Sequence, residues 1–234
     1  MKKLLFFVVL LILIPVAGLA YLGFVPGVSK YIAKPVDLGI KVDPSYTDSL
    51  EQKISFKNEL PGGVVPAGRE GVFSGSIKVD ETVSSVAATS ILAQWKRRSP
   101  SLPIRDVQVR FNDDGTAEVS GILEIATAVS VAKTLGYGDA DIEKGKSYAK
   151  YVSGDLPFYV KGTTGAINNQ INISPSDFQL GKVTVPESIT TPAARVVEDV
   201  IERRIKQVGG INLESIKLGS GSLQFTGTVP SSIK

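Results

Sequence analysis

One run of acidic residues at alternating positions has the spacing of metal ligands. Asp139, Asp141 and Glu143 stand two residues apart, as do the first ligands of a calcium-binding loop. Such a loop needs a glycine at its sixth position and a bidentate glutamate at its twelfth. This chain has Lys144 and Lys150 at those positions. The acidic run therefore predicts the N-terminus of a helix and no metal site.

The residue types that are missing disfavour most catalytic chemistry. The chain has no His and no Cys, so it lacks the commonest general base, the commonest zinc ligands and any disulfide. Asp113 and Asp114 are adjacent in a turn-forming sequence, whereas an acid–base pair needs one carboxyl in a cleft with a raised pKa. We therefore predict a non-catalytic protein without a cofactor. An enzyme with a polar pocket is the disfavoured alternative.

A basic run is the remaining polar feature that indicates a ligand. Lys96, Arg97 and Arg98 follow one another, and each basic residue near an anionic membrane contributes about 1 kcal/mol to binding. We predict that these three residues contact lipid headgroups. They also end a predicted helix, where cations offset the negative end of the helix dipole, and this alternative explains the run equally well. The net charge of +3 is too small to favour a nucleic-acid partner.

An apolar segment near the N-terminus predicts where the protein is located. Residues 4–24 contain no charged side chain, and a helix of this length, about 31 Å, matches the hydrocarbon thickness of a bilayer. Lys2 and Lys3 favour a cytoplasmic N-terminus. We therefore predict a single-pass protein of the bacterial cell membrane with an extracytoplasmic C-terminal domain. The alternatives are a buried core helix and a cleaved signal peptide, for which Gly18-Leu19-Ala20 offers small residues.

The patterns beyond residues 1–24 predict a linker and one α+β domain. Residues 25–36 are rich in Pro, Gly and Lys and predict a tether. Residues 37–234 mix strand patterns of period two with helix patterns of period 3.6. Strands are expected at 72–79, 104–111, 116–125, 158–161, 165–173, 178–185, 213–218 and 222–228. For 126–152 we expect two short helices, with a mobile lid or a strand pair as alternatives.

Two longer amphipathic helices are predicted, each before a strand–turn–strand pattern. The first covers 81–98 with Asp80 as its N-cap, and the second covers 191–208 with Thr191 as its N-cap and Pro192 at its first position. The chain then reads as a duplicated helix-plus-hairpin unit, with possible halves at 72–125 and 158–230. Coincidence between two ordinary hairpins is the alternative.

Two short motifs give the chain a resemblance to known envelope proteins. One strand ends in Val119-Ser120-Gly121, and a later strand reads Leu180-Gly181-Lys182-Val183-Thr184-Val185-Pro186 before the second long helix. With the single N-terminal span, this combination resembles the small anchored envelope proteins of the YpmS type and the LmeA-like phospholipid-binding proteins, over roughly residues 72–230. The resemblance implies a curved antiparallel sheet wrapped around helices, related to tubular lipid-binding modules. It also implies binding of lipid or of a lipid-linked envelope precursor.

The resemblance makes two helix stripes candidate lipid contacts. We predict that five apolar residues line a groove for acyl chains, namely Ile91, Trp95, Val197, Ile201 and Ile205. A sheet with one apolar face also closes readily into a dry core, in which these residues would be ordinary packing residues.

A membrane-anchored, non-catalytic module that binds lipid is the function that these features favour. Its partners would be membrane lipid and envelope proteins, and no nucleic acid. The alternative is an interaction or scaffolding module of a cell-envelope assembly. That alternative predicts a dry interior together with an exposed patch or a free sheet edge.

Overall fold

The computed structural model describes residues 34–65, 71–140, 143 and 155–234, and it confirms the α+β class. The predicted anchor at 4–24 and most of the predicted helix at 139–152 lie outside these ranges. Among the residues described, none of the helices combines the length and apolarity that a bilayer crossing requires. The helices are α1 (Pro44–Lys53), α2 (Ser85–Arg98), α3 (Ile125–Thr134) and α4 (Glu187–Gln207). The strands are β1 (Lys57–Asn58), β2 (Phe73–Ser74), β3 (Ile77–Ser84), β4 (Ile104–Phe111), β5 (Ala117–Leu123), β6 (Leu156–Ile167), β7 (Gln170–Leu180), β8 (Val183–Thr184), β9 (Asn212–Gly219), β10 (Ser222–Val229) and β11 (Ser232–Ile233).

Eight strands form one strongly curled antiparallel sheet, a half-barrel. Its order is β3-β10-β9-β6-β5-β4, and β7 pairs with the other edge of β6 and carries the short β8. Strand β6, which has 12 residues, is the centre of this sheet, because it pairs with β5, β7 and β9. The curved antiparallel sheet that the resemblance implied is therefore confirmed.

Two hairpins meet tip to tip along one edge of β6. β5 pairs with residues 156–162 of β6, and β9 pairs further along with Ala166 and Ile167. The turns of the β4–β5 and β9–β10 hairpins touch, since the N–H of Gly221 donates a hydrogen bond to the carbonyl of Asn112 at 3.3 Å. The two hairpins of the sequence are thus neighbours in the fold. Their origin by duplication stays a prediction.

A bulge in the long hairpin lets the sheet bend at its middle. The register of β6 against β7 shifts between Lys161 and Gly162. Glycine is required at this point, because a Cβ on Gly162 would overlap the carbonyl oxygen of Ser174. Since bulges bend and twist a strand, this one separates the half of the sheet that holds β4 and β5 from the half that holds β9, β10 and β3.

Hydroxyl groups of α2 cover the outer edge of β4. The N–H of Phe111 donates to Ser85 Oγ, and the N–H of Val109 donates to Thr89 Oγ1, each at 2.9 Å. The two acceptors lie four residues apart and therefore on one face of the helix. The helix therefore supplies hydrogen-bond acceptors for N–H groups that this edge strand would otherwise leave unpaired.

Carboxylates of α4 accept hydrogen bonds from the N–H groups on the outer edge of β7. The N–H of Ile173 donates to Glu198 Oε1 at 2.6 Å, and the N–H of Ile171 donates to Glu202 Oε1 at 3.0 Å. These bonds are charge-assisted, and such bonds are stronger than those between neutral groups. They fix α4 alongside β7.

A small three-stranded sheet joins the ends of α2 and α4. In it β11 lies between β1, which is parallel, and β2, which is antiparallel. Trp95 near the end of α2 stacks on Phe73 of β2, with ring centroids 6.2 Å apart. A Cβ built on Gly209, just after α4, would lie 3.7 Å from the carbonyl oxygen of Phe73. Both long helices therefore end at β2.

Both long helices begin at other residues than the sequence predicted. Residues 81–84 extend β3 along β10, so that α2 begins at Ser85, with Ser84 and not Asp80 as its N-cap. The prediction of Asp80 was wrong because strand pairing continued further than the alternation indicated. α4 begins one turn before the predicted Thr191, and it carries Pro192 inside the helix. The hydroxyl of Thr190 donates to the carbonyl of Pro186 at 3.1 Å and supports that first turn.

The long β6–β7 hairpin was also predicted wrongly. The expected strand at 165–173 contains a two-residue turn, in which Asn168 and Asn169 have φ angles of 50° and 66°. Asparagine tolerates this left-handed region better than most residues, and it is favoured in tight hairpin turns. For the predicted short helix that starts at residue 126, the structure shows α3, which begins one residue earlier.

Candidate functional site

One face of the curled sheet is apolar over most of its width. Residues that pair directly across antiparallel strands point to the same face, and so do alternate residues along a strand. By this rule Val119, Val160 and Phe178 share a face in one half of the sheet. Ile216 and Phe225 continue it in the other half. We call this surface the apolar face.

Helices α2 and α4 pack on two parts of the apolar face. Under α2, Ala88 and Leu92 contact a cluster of buried side chains consisting of Val107, Val109, Phe111 and Ala117. Under α4, the buried cluster consists of Ala166, Ile205 and Leu213. These two clusters are the closed parts of the apolar face, and a third buried cluster, of Leu60, Val65 and Ile233, lies at the small sheet.

A third part of the apolar face is less completely covered. Four large side chains there are only half-buried, namely Phe158, Val160, Phe178 and Leu180. They form a continuous patch, because Phe158 pairs with Leu180 and Val160 pairs with Phe178 across β6 and β7. The packed clusters found among the described residues do not include them. We call this patch the apolar floor, and it is the candidate binding site.

Helix α3 follows β5 and leads to a contact with α4. It starts directly after β5, whose last residue, Leu123, pairs with Leu156 at the start of β6. Beyond its C-terminal end, Tyr137 is bonded to Asp199 in the middle of α4. Helix α3 is rich in alanine and valine, and none of its 10 residues is buried.

Three side chains tie the end of the α3 segment to α4. Tyr137 Oη donates to Asp199 Oδ2 at 2.5 Å, and Arg203 Nε donates to the same oxygen at 2.8 Å. The guanidinium of Arg203 also lies 4.7 Å from the centroid of the Tyr137 ring, at cation–π distance. Its Nη1 lies 3.5 Å from the carbonyl oxygen of Leu135. We call Tyr137, Asp199 and Arg203 the Tyr137 cluster.

The Tyr137 cluster holds its two titratable partners in fixed charge states. Partial burial, and then the hydrogen bond to Asp199, raise the pKa of Tyr137 to about 12. The hydrogen bond from Tyr137 is the main cause that lowers the pKa of Asp199, and Arg203 adds to it. Both shifts favour a neutral tyrosine beside an ionised aspartate. In the folded protein these charge states therefore hold from about pH 4, the ordinary value for aspartate, to beyond about pH 10, the ordinary value for tyrosine.

The predicted groove residues on α4 divide into two kinds. Val197 is 47% exposed and Ile201 is 36% exposed. Ile205, one turn further along, is 9% exposed and belongs to the closed cluster under α4. The first two side chains are accessible to a ligand, whereas Ile205 is covered by the domain itself.

The predicted groove residues on α2 lie toward the small sheet. Trp95 is 43% exposed and has one ring face against Phe73, with the ring planes 12° apart. Ile91, one turn earlier, is half-buried. The structure therefore does not group Ile91 and Trp95 with the residues of the apolar floor. A lipid contact for these two residues stays a prediction.

The basic run at the end of α2 is largely engaged within the domain. Lys96 Nζ lies 2.6 Å from Glu124 Oε2, and Arg98 forms a two-pronged ion pair with Glu51. Arg97 is exposed and donates a hydrogen bond within its own helix. All three residues lie in the last turn of α2, as the helix-dipole alternative requires. Headgroup contact by the run stays a prediction.

The opposite face of the sheet carries polar contacts that hold the start of the domain. Tyr159 donates to Glu118 at 2.9 Å, and Arg110 is 3.7 Å from the same carboxylate. Gln108 accepts the N–H of Leu38 at 2.7 Å, and Arg110 donates to the carbonyl of Leu38. Leu38 is only 2% exposed. The segment that follows the predicted linker is therefore held against β4.

Acidic side chains bear on two kinds of polar site in the described part of the chain, a metal-binding arrangement and a polar hollow. There, no group of three or more metal-ligating side chains converges. An open hollow of about 440 Å³ beside α1 is lined in part by Asp48, Glu51 and Phe56, but Glu51 is already paired with Arg98. The arrangement that remains, the apolar floor, is suited to binding an apolar chain.

Comparison of the chain with protein-family models, curated proteins and solved structures gives no match. The resemblance to YpmS-type and LmeA-like proteins therefore stays a prediction.

Sequence reasoning missed the apolar floor and the Tyr137 cluster for different reasons. Phe158 and Val160 occupy alternate positions of one strand, and Phe178 and Leu180 those of another. The sequence therefore indicated an apolar face on each strand. What was missing was the register that pairs the two strands. Tyr137 lies between two glycines, and no local pattern indicates that it reaches a helix 62 residues away.

Proposed function

We propose that this protein is a non-catalytic, membrane-anchored module that binds lipid or a lipid-linked envelope precursor on its apolar floor. Residues 4–24 anchor it in the cell membrane, and the domain is extracytoplasmic. The observation that carries the proposal is the half-burial of Phe158, Val160, Phe178 and Leu180, next to clusters that are closed. Large apolar side chains left open in a patch mark binding sites more often than isolated exposed ones do.

An acyl chain fits this surface energetically. Each buried methylene group contributes about 0.8 kcal/mol, so a chain that covers the floor over several methylenes is held by a few kcal/mol. Val197 and Ile201 on α4 add exposed apolar surface of the same kind. The predicted anchor would keep the domain near the bilayer, which raises the local concentration of lipid.

Recovery of bound lipid from the full chain tests this proposal. The full chain is purified in detergent, and lipid retained after extensive detergent exchange is measured by native mass spectrometry. Val160→Asp places a charge on the floor and is expected to abolish retained lipid, because an ion is costly in an apolar site. Ile167→Asp is the matched control, since Ile167 lies on the same strand and is 65% exposed. Absence of lipid from the wild-type chain, or equal lipid in both variants with native circular dichroism, would contradict the proposal.

A second candidate function, an interaction module, is favoured by the outer edge of β3. Within the described ranges, β3 pairs only with β10 over 8 residues. A free edge is a template for a strand of another chain. Lys78 and Asp80 are exposed on this strand, and charged residues on an edge weaken such pairing. Retained lipid that is lost in Val160→Asp would favour the first function over this one.

A further inference from the structure

We infer that the outer edge of β3 pairs with the same edge of a second copy of this chain, antiparallel and centred on Val79. The inference goes beyond lipid binding and gives the second candidate function a definite partner. It concerns a strand edge and not the apolar floor, so it can be tested independently of bound lipid.

The outer edge of β3 differs from those of β4 and β7 in its hydrogen bonding. The N–H groups of Val109 and Phe111 on β4, and of Ile171 and Ile173 on β7, donate to helix side chains. All 8 residues of β3 pair with β10. In an antiparallel strand every second residue then directs its N–H and C=O away from that partner. Among the described residues, no other element bonds to these outward groups of β3.

Pairing of β3 with its own copy about a two-fold axis limits the possible registers. Directly opposed residues of an antiparallel pair point to the same face of the sheet, so the residue at the axis lies opposite itself. A centre at Lys78, Asp80 or Glu81 would place like charges opposite each other, which is destabilising. A centre at Thr82 would leave Lys78 beyond the paired residues. The remaining centre within the strand is Val79.

The register centred on Val79 makes the charges of the two edges complementary. Lys78 of each copy then lies opposite Asp80 of the other, and opposite charges in this position stabilise a strand pair. Both side chains are exposed. Asp80 also accepts a hydrogen bond from Thr226 at 3.3 Å, which uses one of its two carboxylate oxygens. Charges that weaken pairing with unrelated strands therefore favour a second copy in one register.

The paired surface is small, which determines where the dimer is expected to form. In this register residues 77–81 of the two copies face each other, whereas a stable interface involves about 20–30 residues a side. The dimer is therefore weak in dilute solution. The proposed anchor would confine both copies to one membrane and raise their effective concentration, so membranes are the setting for the test.

Disulfide crosslinking in membranes that contain the full chain tests the pairing. The chain has no Cys, so each introduced thiol is unique. Val79→Cys places two thiols at the axis, where Cα atoms are about 4.5–5.5 Å apart and within the range of a disulfide. Val83→Cys is the matched control, because Val83 is also half-buried on the same face of β3 but would lie roughly 27 Å from its counterpart.

After mild oxidation, Val79→Cys is expected to give a covalent dimer and Val83→Cys none. Absence of the dimer from Val79→Cys, or equal dimer from both variants, would overturn the pairing. A disulfide between Val79→Cys and a different protein, identified by mass spectrometry, would overturn self-pairing and assign the edge to that other partner.

Charge reversal in the Val79→Cys background tests the register. Lys78→Asp places an aspartate opposite Asp80, and Asp80→Lys places a lysine opposite Lys78. Each single change is expected to lower the yield of dimer at least about fivefold. The two changes together restore opposite charges and are expected to restore the yield. A combined variant that crosslinks no better than the single ones, with native circular dichroism, would overturn the register.

Retained lipid, measured on the same samples, separates this inference from the proposed function. Lys78→Asp is expected to leave retained lipid unchanged, because Lys78 lies on the exposed side of β3 and outside the apolar floor. A Val79→Cys dimer without retained lipid would support the pairing and contradict lipid binding. Retained lipid without a dimer would overturn the pairing and leave lipid binding supported.

Discussion

Two tyrosine–carboxylate pairs show how one kind of contact has different consequences in different places. Tyr137 and Tyr159 each donate to a carboxylate, and partial burial followed by that bond raises both pKa values to about 12. Tyr159 joins strands that already share a ladder of backbone bonds. Tyr137 joins segments from different parts of the chain. We therefore expect the hydroxyl of Tyr137 to matter more for local opening and both hydroxyls to matter for alkaline stability.

The pKa of Tyr137 predicts how its contribution to stability depends on pH. A tyrosine whose pKa is higher in the folded than in the unfolded protein stabilises the fold fully below about pH 10, its unfolded pKa. That contribution is lost as the pH rises through the folded value of about 12. Asp199, whose pKa is lowered, contributes above about pH 4 and loses its contribution in stronger acid.

Urea unfolding of the wild type and of Tyr137→Phe checks this dependence. At about pH 8 the wild type should be more stable, by about 1 kcal/mol for one hydrogen bond. The difference should shrink between about pH 10 and about pH 12. A difference that stays constant over that range would mean that the hydroxyl is not bonded to an ionised partner.

The bulge that bends the sheet depends on the absence of a side chain at Gly162. Gly162→Ala would force a Cβ into the carbonyl of Ser174, and we expect a loss of about 1–3 kcal/mol in the free energy of unfolding. Gly219→Ala is the control, because a Cβ there meets no atom within 4 Å, and it should change stability by less than about 0.5 kcal/mol. Denaturant unfolding measures both. Equal stability of the two variants would show that the bulge relaxes without cost.

Helices in this protein act as partners for strand edges as well as covers for a sheet. Hydroxyl groups of α2 accept hydrogen bonds from the backbone N–H groups of β4, and carboxylates of α4 accept them from β7. This arrangement places polar residues on the very helix faces that adjoin the sheet. It also blocks two edges that would otherwise pair with other chains.

Removing one acceptor from α4 tests the edge contact. Glu198→Ala leaves the N–H of Ile173 without its acceptor, and we expect a loss of about 1–2 kcal/mol together with more aggregation through β7. Glu198→Gln keeps an oxygen at the same position and should lose less. Denaturant unfolding and light scattering measure the two effects. If both variants lose the same amount, the charge rather than the bond holds α4 in place.

Helices and strands were predictable from sequence where a local residue pattern was sufficient to define them. The β4–β5 hairpin follows from alternation around Asn112-Asp113-Asp114-Gly115. The start of α2 was predicted wrongly, because Glu81, Thr82 and Val83 suit a helix stripe as well as a strand and only pairing with β10 decides between them. Helix α1 was missed, although Asp43 caps it and Pro44 occupies its first position, since its apolar face is weak.

The candidate site was predictable only in part, because it depends on long-range register. Val197 and Ile201 were predicted from a helix stripe and are exposed. The same stripe contains Ile205, which is buried, and periodicity does not show where along a helix the neighbouring sheet ends. The floor itself arises from pairing between β6 and β7, which a bulge offsets by one residue.

At the scale of the whole molecule, two long helices cover parts of one face of a curled sheet and leave the floor less completely covered. The small sheet joins the ends of both long helices, and the closed clusters lie under those helices. The four half-buried side chains of the floor belong to neither of these clusters. Polar contacts of Leu38 hold the start of the domain on the opposite face of the sheet, away from the floor.

Site-mapped photocrosslinking tests the central claim, that lipid lies on the apolar floor. A fatty acid with a diazirine on its acyl chain is added to membranes that contain the full chain, and the labelled peptides are identified by mass spectrometry after irradiation. The account predicts labels in residues 156–180 that are competed by unlabelled fatty acid and lost in Val160→Asp. Labels confined to residues 4–24, or labels at the floor that unlabelled fatty acid does not reduce, would contradict it.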